Sequence, residues 1–129
     1  MSPLRKSLTT AALLAALSSA AHAYDFFTPV SQSLDGSTMY CAIVNVGPTP
    51  AVVSTSVRAM VDGSDITAIN ICPPGPATLA PGAACFSYTS QSGAHSGYCH
   101  FTASTTKVRG NLIVFGSNGD VLTTIPATR

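Results

Sequence analysis

Few residues in this 129-residue chain are equipped for chemistry: four cysteines, three histidines and five aspartates, with no glutamate. The stretch "YCHFTAS" at 98–104 sets Cys99 beside His100. Those two residue types serve metal ligation, nucleophile–base pairs and disulfides. Ligation by the adjacent pair is disfavoured, because neighbours on a strand point to opposite faces. The chain holds no C-x-x-C, no H-x-H and no C-x-x-C-H. His95 and His100 could meet around zinc or copper only if the intervening segment folds back. No metal or other cofactor is therefore expected.

Nucleophilic catalysis needs a hydroxyl or thiol, a base and an orienting acid. "GAHSG" at 93–97 places His95 beside Ser96, but without the G-x-S-x-G elbow. The aspartates sit mostly in turn-like contexts, where Asp serves local backbone hydrogen bonds rather than acid–base work. The chain is not expected to be an enzyme. That leaves the cysteines as staples, provided the compartment is oxidising.

The N-terminal residues supply that condition. Arg5 and Lys6 precede a small apolar run at 8–17, and Ala21-His22-Ala23 is an A-x-A cleavage pattern. The run is too short for a bilayer span of roughly 20 residues. Residues 1–23 read as a signal peptide, removed on export to the periplasm or the medium. The remaining 24–129 read as one domain. It carries Arg58, Lys107, Arg109 and Arg129 against Asp25, Asp35, Asp62, Asp65 and Asp120, a net charge of −1 with His neutral. This lacks the cationic footprint of a nucleic-acid binder or a polybasic membrane surface. No membrane span is expected.

The elements that must position the cysteines are strands. Short β-rich runs at 24–31, 38–46, 51–61, 66–72, 85–89, 98–104, 107–115 and 121–125 are separated by Gly, Pro, Ser, Asn and Asp. In 51–61, Val53, Val57, Ala59 and Val61 share one face, and Ser54, Ser56 and Arg58 the other. In 107–115, Val108, Leu112 and Val114 share a side. "DGSD" at 62–65 and "SNGD" at 117–120 are turn signals. A weak internal echo links two series, each with a Cys strand, a Val-Arg strand and a Gly/Asp turn. Seven or eight strands with short turns predict an all-β fold, specifically an immunoglobulin-like antiparallel β-sandwich.

Three stretches carry a family resemblance. "CAIVNVG" followed by a polar–apolar strand and a "DG" turn, "LAPGAACFSY" at 79–88, and "YCHF" resemble bacterial extracytoplasmic immunoglobulin/fibronectin-III-like modules. The resemblance implies adhesion, envelope assembly or attachment to a larger partner, with no catalytic residues to carry over. This chain differs in standing alone and in its four cysteines.

Four cysteines allow three pairings, and sequence alone does not choose among them. In the immunoglobulin arrangement Cys41 falls on the second strand and Cys99 on the sixth, which face each other across the sandwich. That favours Cys41–Cys99, with Cys72–Cys85 tying the ends of "PPGPATLAPGAA". Inward Cys41 and Cys99 bring Met39, Ile43 and Phe101 inward and turn His100 outward. The expected function is a non-catalytic exported interaction module with a protein or envelope partner. Phe26, Phe27 and a loop at 95–98 are the candidate contacts. The alternatives are an inhibitor of an extracytoplasmic enzyme, presenting the stiff 73–84 loop, and a metal carrier.

Overall fold

Alternation with a period of two organises the whole described chain, which in this computed structural model comprises residues 23–34, 36–72, 77–90 and 95–129. The expected signal peptide lies outside the described residues except for Ala23. Ten strands follow in order: β1 (Tyr24–Phe27), β2 (Ser31–Ser33), β3 (Thr38–Asn45), β4 (Ala51–Ala59), β5 (Ile69–Asn70), β6 (Ala77–Leu79), β7 (Ala84–Ser90), β8 (His95–Ala103), β9 (Val108–Phe115) and β10 (Val121–Pro126). The described residues contain no helix.

The strands form two antiparallel sheets of five. Sheet I runs β1-β8-β4-β6, with β2 also paired to β8, and sheet II runs β10-β9-β3-β7-β5. β3 and β8 are central, and the disulfide Cys41–Cys99 joins them across the two sheets with Cα atoms 5.4 Å apart. The second disulfide, Cys72–Cys85, has its Cα atoms 5.0 Å apart. Both lie within the span a disulfide can bridge, and among the described residues no cysteine is free.

The structure corrects several expected boundaries. Ten strands replace seven or eight. The run at 24–31 splits into β1 and β2, because Thr28 leaves the ladder. Its N–H donates to the Cys99 carbonyl at 3.1 Å and its Oγ1 accepts from the Cys99 N–H at 2.9 Å. Pro29, which follows, has no N–H to continue a strand. The run at 51–61 stops at Ala59, whose carbonyl accepts from the Gly63 N–H at 2.9 Å, so Val61 falls in the turn and is 90% exposed rather than facing the core. Gly63 turns there with φ +68°, a value that only glycine adopts without strain. The run at 66–72 keeps only β5, because Ile71 and Cys72 both donate to the Phe86 carbonyl and regular pairing ends.

Two loops of the sequence reading are strands. Ala77–Leu79 pairs with β4 in sheet I, and Ala77 and Leu79 are buried. Residues 95–98 belong to β8.

The Cys-strand echo has a structural counterpart. β3 lies in sheet II and leads to β4 in sheet I, while β8 lies in sheet I and leads to β9 in sheet II. β3 then pairs with β9 and β4 with β8. Two arches thus cross between the sheets and clasp each other around the Cys41–Cys99 bond.

The core fills the space between. Met39, Cys41, Ile43, Val53, Val57, Cys99, Phe101, Leu112 and Val114 are all at most 1% exposed. Phe101 is the largest of the fully buried side chains. It lies over Gly110 of β9, where a Cβ would come within 2.8 Å of the ring. Burying Phe in place of exposing it is worth about 2–3 kcal/mol, so the missing side chain at 110 makes room for the core's largest residue.

Candidate interaction surfaces

With one face of the long central strands β3, β4, β8 and β9 spent on the core, any contact surface must come from the outward faces, the sheet edges or the turns. The turns are well satisfied by their own residues. Asp62 Oδ1 accepts from the Ser64 N–H at 3.0 Å, and Asp65 Oδ1 from the Thr67 N–H at 2.9 Å. The Ser64 hydrogen bonds hold the Asp62 carboxyl below its ordinary value of 3.8. Pro81-Gly82 makes a tight turn with Gly82 at φ +77° and the Ala83 N–H donating to the Ala80 carbonyl, the geometry of a type II turn. Fully buried Asn45 braces this turn. Its Nδ2 donates to the Thr49 and Leu79 carbonyls at 2.7 and 3.0 Å, and its Oδ1 accepts from the Gly47 N–H at 2.9 Å.

The outward face of sheet I is polar. Across β1, β8 and β4 lie Phe27, His100 and Ser56, and beside them Asp25, Thr102 and Ser54. His100 Nε2 and Asp25 Oδ1 are 2.7 Å apart, with the Asp25 side chain 57% exposed. Phe27 stacks on the His100 ring with centroids 4.7 Å apart and planes 4° apart. Ser54 and Thr102 share a 2.6 Å hydrogen bond. Arg58 Nε donates to Ser56 Oγ at 3.0 Å. Nearly every polar group on this face thus has a partner on the same face.

The outward face of sheet II is apolar and aromatic. One row crosses all five strands: Ile69, Tyr88, Tyr40, Ile113 and Thr124. The flanking rows hold Phe86, Ala42, Asn111 and Pro126 on one side and Thr38, Phe115 and Val121 on the other. Arg109, at one end, is the single charged residue on these strands. Tyr40 and Tyr88 stack at 4.7 Å and 15°, Phe115 meets Tyr40 edge-on at 5.0 Å and 74°, and Phe86 leans on Tyr40 at 5.4 Å. Each such pair adds about 0.5–1.5 kcal/mol beyond simple burial. The rings are half-buried and pack on one another. Ile69 and Val121 remain 44% and 58% exposed.

Of the residues picked out in the sequence, the four cysteines are paired in the interior. Phe26 is partly buried and packs against the core. Phe27 is 45% exposed on sheet I, near Tyr98 at 6.4 Å between centroids. His95 to Tyr98 are fixed in β8, not carried on a loop. His95 and His100 are five residues apart on one strand, so they point to opposite sides of it. Among the described residues no three His, Cys, Asp or Glu side chains gather as a metal site. The 73–84 stretch offered as an inhibitory loop is partly strand β6, its residues 77 and 79 committed to the core. Residues 73–76 lie outside the described set. The sheet II surface went unnoticed in the sequence. Its signal was present in "TMYCAIVN", which is apolar at nearly every position instead of every second one.

No protein-family model matches the chain, and neither does any curated protein or solved structure. Among the described residues no helix is long and apolar enough to cross a membrane. Two intramolecular disulfides are compatible with an oxidising, extracytoplasmic compartment.

Proposed function

We propose that this protein is an exported, non-catalytic interaction module, and that it makes its contact through the outward face of sheet II. The observation that carries the reading is that face itself: five strands wide, crossed on four of them by the large side chains of Ile69, Tyr88, Tyr40 and Ile113, and free of charge except at Arg109. A sheet that faced only water would show polar residues there, as sheet I does. Contiguous apolar surface on a small domain is the usual mark of a contact site. Export rests on the leader-like residues 1–23 and on the disulfides. The architecture is read as a variant of the immunoglobulin-like sandwich, supported by a disulfide between facing central strands. It is a variant because β9, the strand after the Cys99 strand β8, lies in the other sheet, whereas in the immunoglobulin fold the strand carrying the second cysteine and the one that follows it share a sheet.

Photo-crosslinking tests this reading. A photoreactive phenylalanine analogue is placed at Phe86 on sheet II or at Thr78 on sheet I, and the protein is irradiated in the cell that exports it. Adducts from position 86 and none from position 78 are expected. Adducts from position 78 alone would overturn the assignment of the face.

A further inference from the structure

The sheet II face carries information about what covers it. Its low charge argues against a charged partner: β3, β5, β7 and β10 contribute no ionisable residue except the tyrosines, and β9 adds only Arg109 at one end, so there is no cluster of charge to complement an acidic or basic peptide, a phosphate or an anionic lipid. The ring geometry argues against a saccharide. Flat sugar rings are bound on exposed aromatic faces, but Tyr40 and Tyr88 turn faces toward each other at 15° and Phe115 is spent edge-on against Tyr40. What the face complements is another neutral, ribbed apolar sheet.

Resting on the reading that sheet II is the contact surface, we propose that its occupant is a second copy of this chain, packed face to face about a two-fold axis. An isologous contact places the same patch on both sides. With its one charge, Arg109, at the end of the face, the patch meets little like-charge penalty in that arrangement, and the aromatic rows of one copy can settle between those of the other at the roughly 10 Å spacing of stacked sheets. The area is sufficient. The five strands, of six, eight, eight, seven and two residues from β10 to β5, lie about 4.8 Å apart and rise about 3.3 Å per residue, which gives a face of roughly 500 Å² in projection. Side-chain relief makes the accessible area larger, so a symmetric pair would bury on the order of 1,200 Å². That is the lower end of the range for specific, stable interfaces, and it fits a dimer that dissociates at micromolar concentration. The opposite face has no such capacity, since its polar groups are already paired within it.

Sedimentation equilibrium of the oxidised protein, from about 1 to 500 µM, tests the proposal, with Tyr88→Lys, Ile69→Lys and Thr78→Lys as variants. The native protein and Thr78→Lys should show one monomer–dimer equilibrium. Tyr88→Lys should weaken it by at least about 100-fold, because a two-fold contact contains each substitution twice and a central aromatic is worth tenfold or more. Ile69→Lys, at the exposed edge of the row, should weaken it less and carries little risk to folding. Near-ultraviolet circular dichroism and non-reducing peptide maps establish that each variant is folded. A native protein that stays monomeric to 500 µM overturns the dimer, as does a dimer indifferent to both sheet II variants. If the protein is monomeric while position 86 crosslinks to a different protein, self-association is wrong and the sheet II contact reading stands. If it is monomeric and position 86 captures nothing, both fail.

Discussion

The outward faces of the two sheets are built from similar strands and differ in what their side chains do. On sheet I, Asp25 meets His100, Ser54 meets Thr102, and Arg58 meets Ser56. On sheet II, Tyr40, Phe86, Tyr88 and Phe115 pack against one another. A sandwich needs one apolar face per sheet, and both sheets supply it through residues such as Met39 and Cys41 on β3 and Cys99 and Phe101 on β8. The second apolar face on sheet II exceeds what the fold requires. The excess is the basis for proposing sheet II, and not sheet I, as the contact surface.

The contrast can be abolished altogether by removing what both faces rest on. Replacing Cys41 and Cys99 by Ala opens a link between residues 58 apart, against 13 for Cys72 and Cys85. On chain-entropy grounds the first loss costs about 4 kcal/mol and the second about 3 kcal/mol. Urea unfolding should rank them in that order, and the first variant should lose the near-ultraviolet signals of both faces together. Gly110→Val drives a side chain into the Phe101 ring and should cost about 1–3 kcal/mol, again without preference for either face.

Substitutions on the faces separate them. Tyr88→Lys should change the unfolding free energy by no more than about 1–2 kcal/mol, for lost ring contacts, yet remove crosslinking from sheet II. His100→Ala should cost at most about 1 kcal/mol, because a solvent-exposed polar contact such as that with Asp25 contributes little, and should leave association intact. The smallest effect belongs to Asp62. Its folded carboxyl titrates below 3.8, so its contribution is present above that pH and disappears as pH falls through the lowered value. Asp62→Asn should flatten the acid limb of the stability curve slightly below pH 3.8 and leave neutral stability almost unchanged.

Much of this arrangement was legible in the sequence. The alternation at 38–46, 98–104 and 107–115 placed β3, β8 and β9, and with them the inward residues Met39, Cys41, Ile43, Cys99, Phe101, Leu112 and Val114. "SNGD" marked the β9–β10 turn, where Gly119 has φ +86°. What escaped had physical causes. β6 hid inside a Pro/Gly-rich stretch because Ala77 and Leu79 are only three residues' worth of pattern. The break between β1 and β2 depends on Thr28 bonding to Cys99, seventy-one residues away, which no local signal reports. The Asp25–His100 pair is likewise a matter of register between distant strands. The aromatic face was readable in composition but not in period. Phe86, Tyr88 and Phe115 each sit one position from a core residue, and only the assembled sheet shows that they converge on Tyr40.

Tyrosine nitration tests the inequality of the two faces most directly, since Tyr40 and Tyr88 lie on sheet II and Tyr98 on sheet I. Rates are compared by peptide mass mapping for the purified protein at high dilution and for the protein in the cell that produces it. The account predicts that Tyr40 and Tyr88 are protected in the cell while Tyr98 reacts equally in both. Protection of Tyr98 with Tyr40 and Tyr88 reacting freely would contradict it.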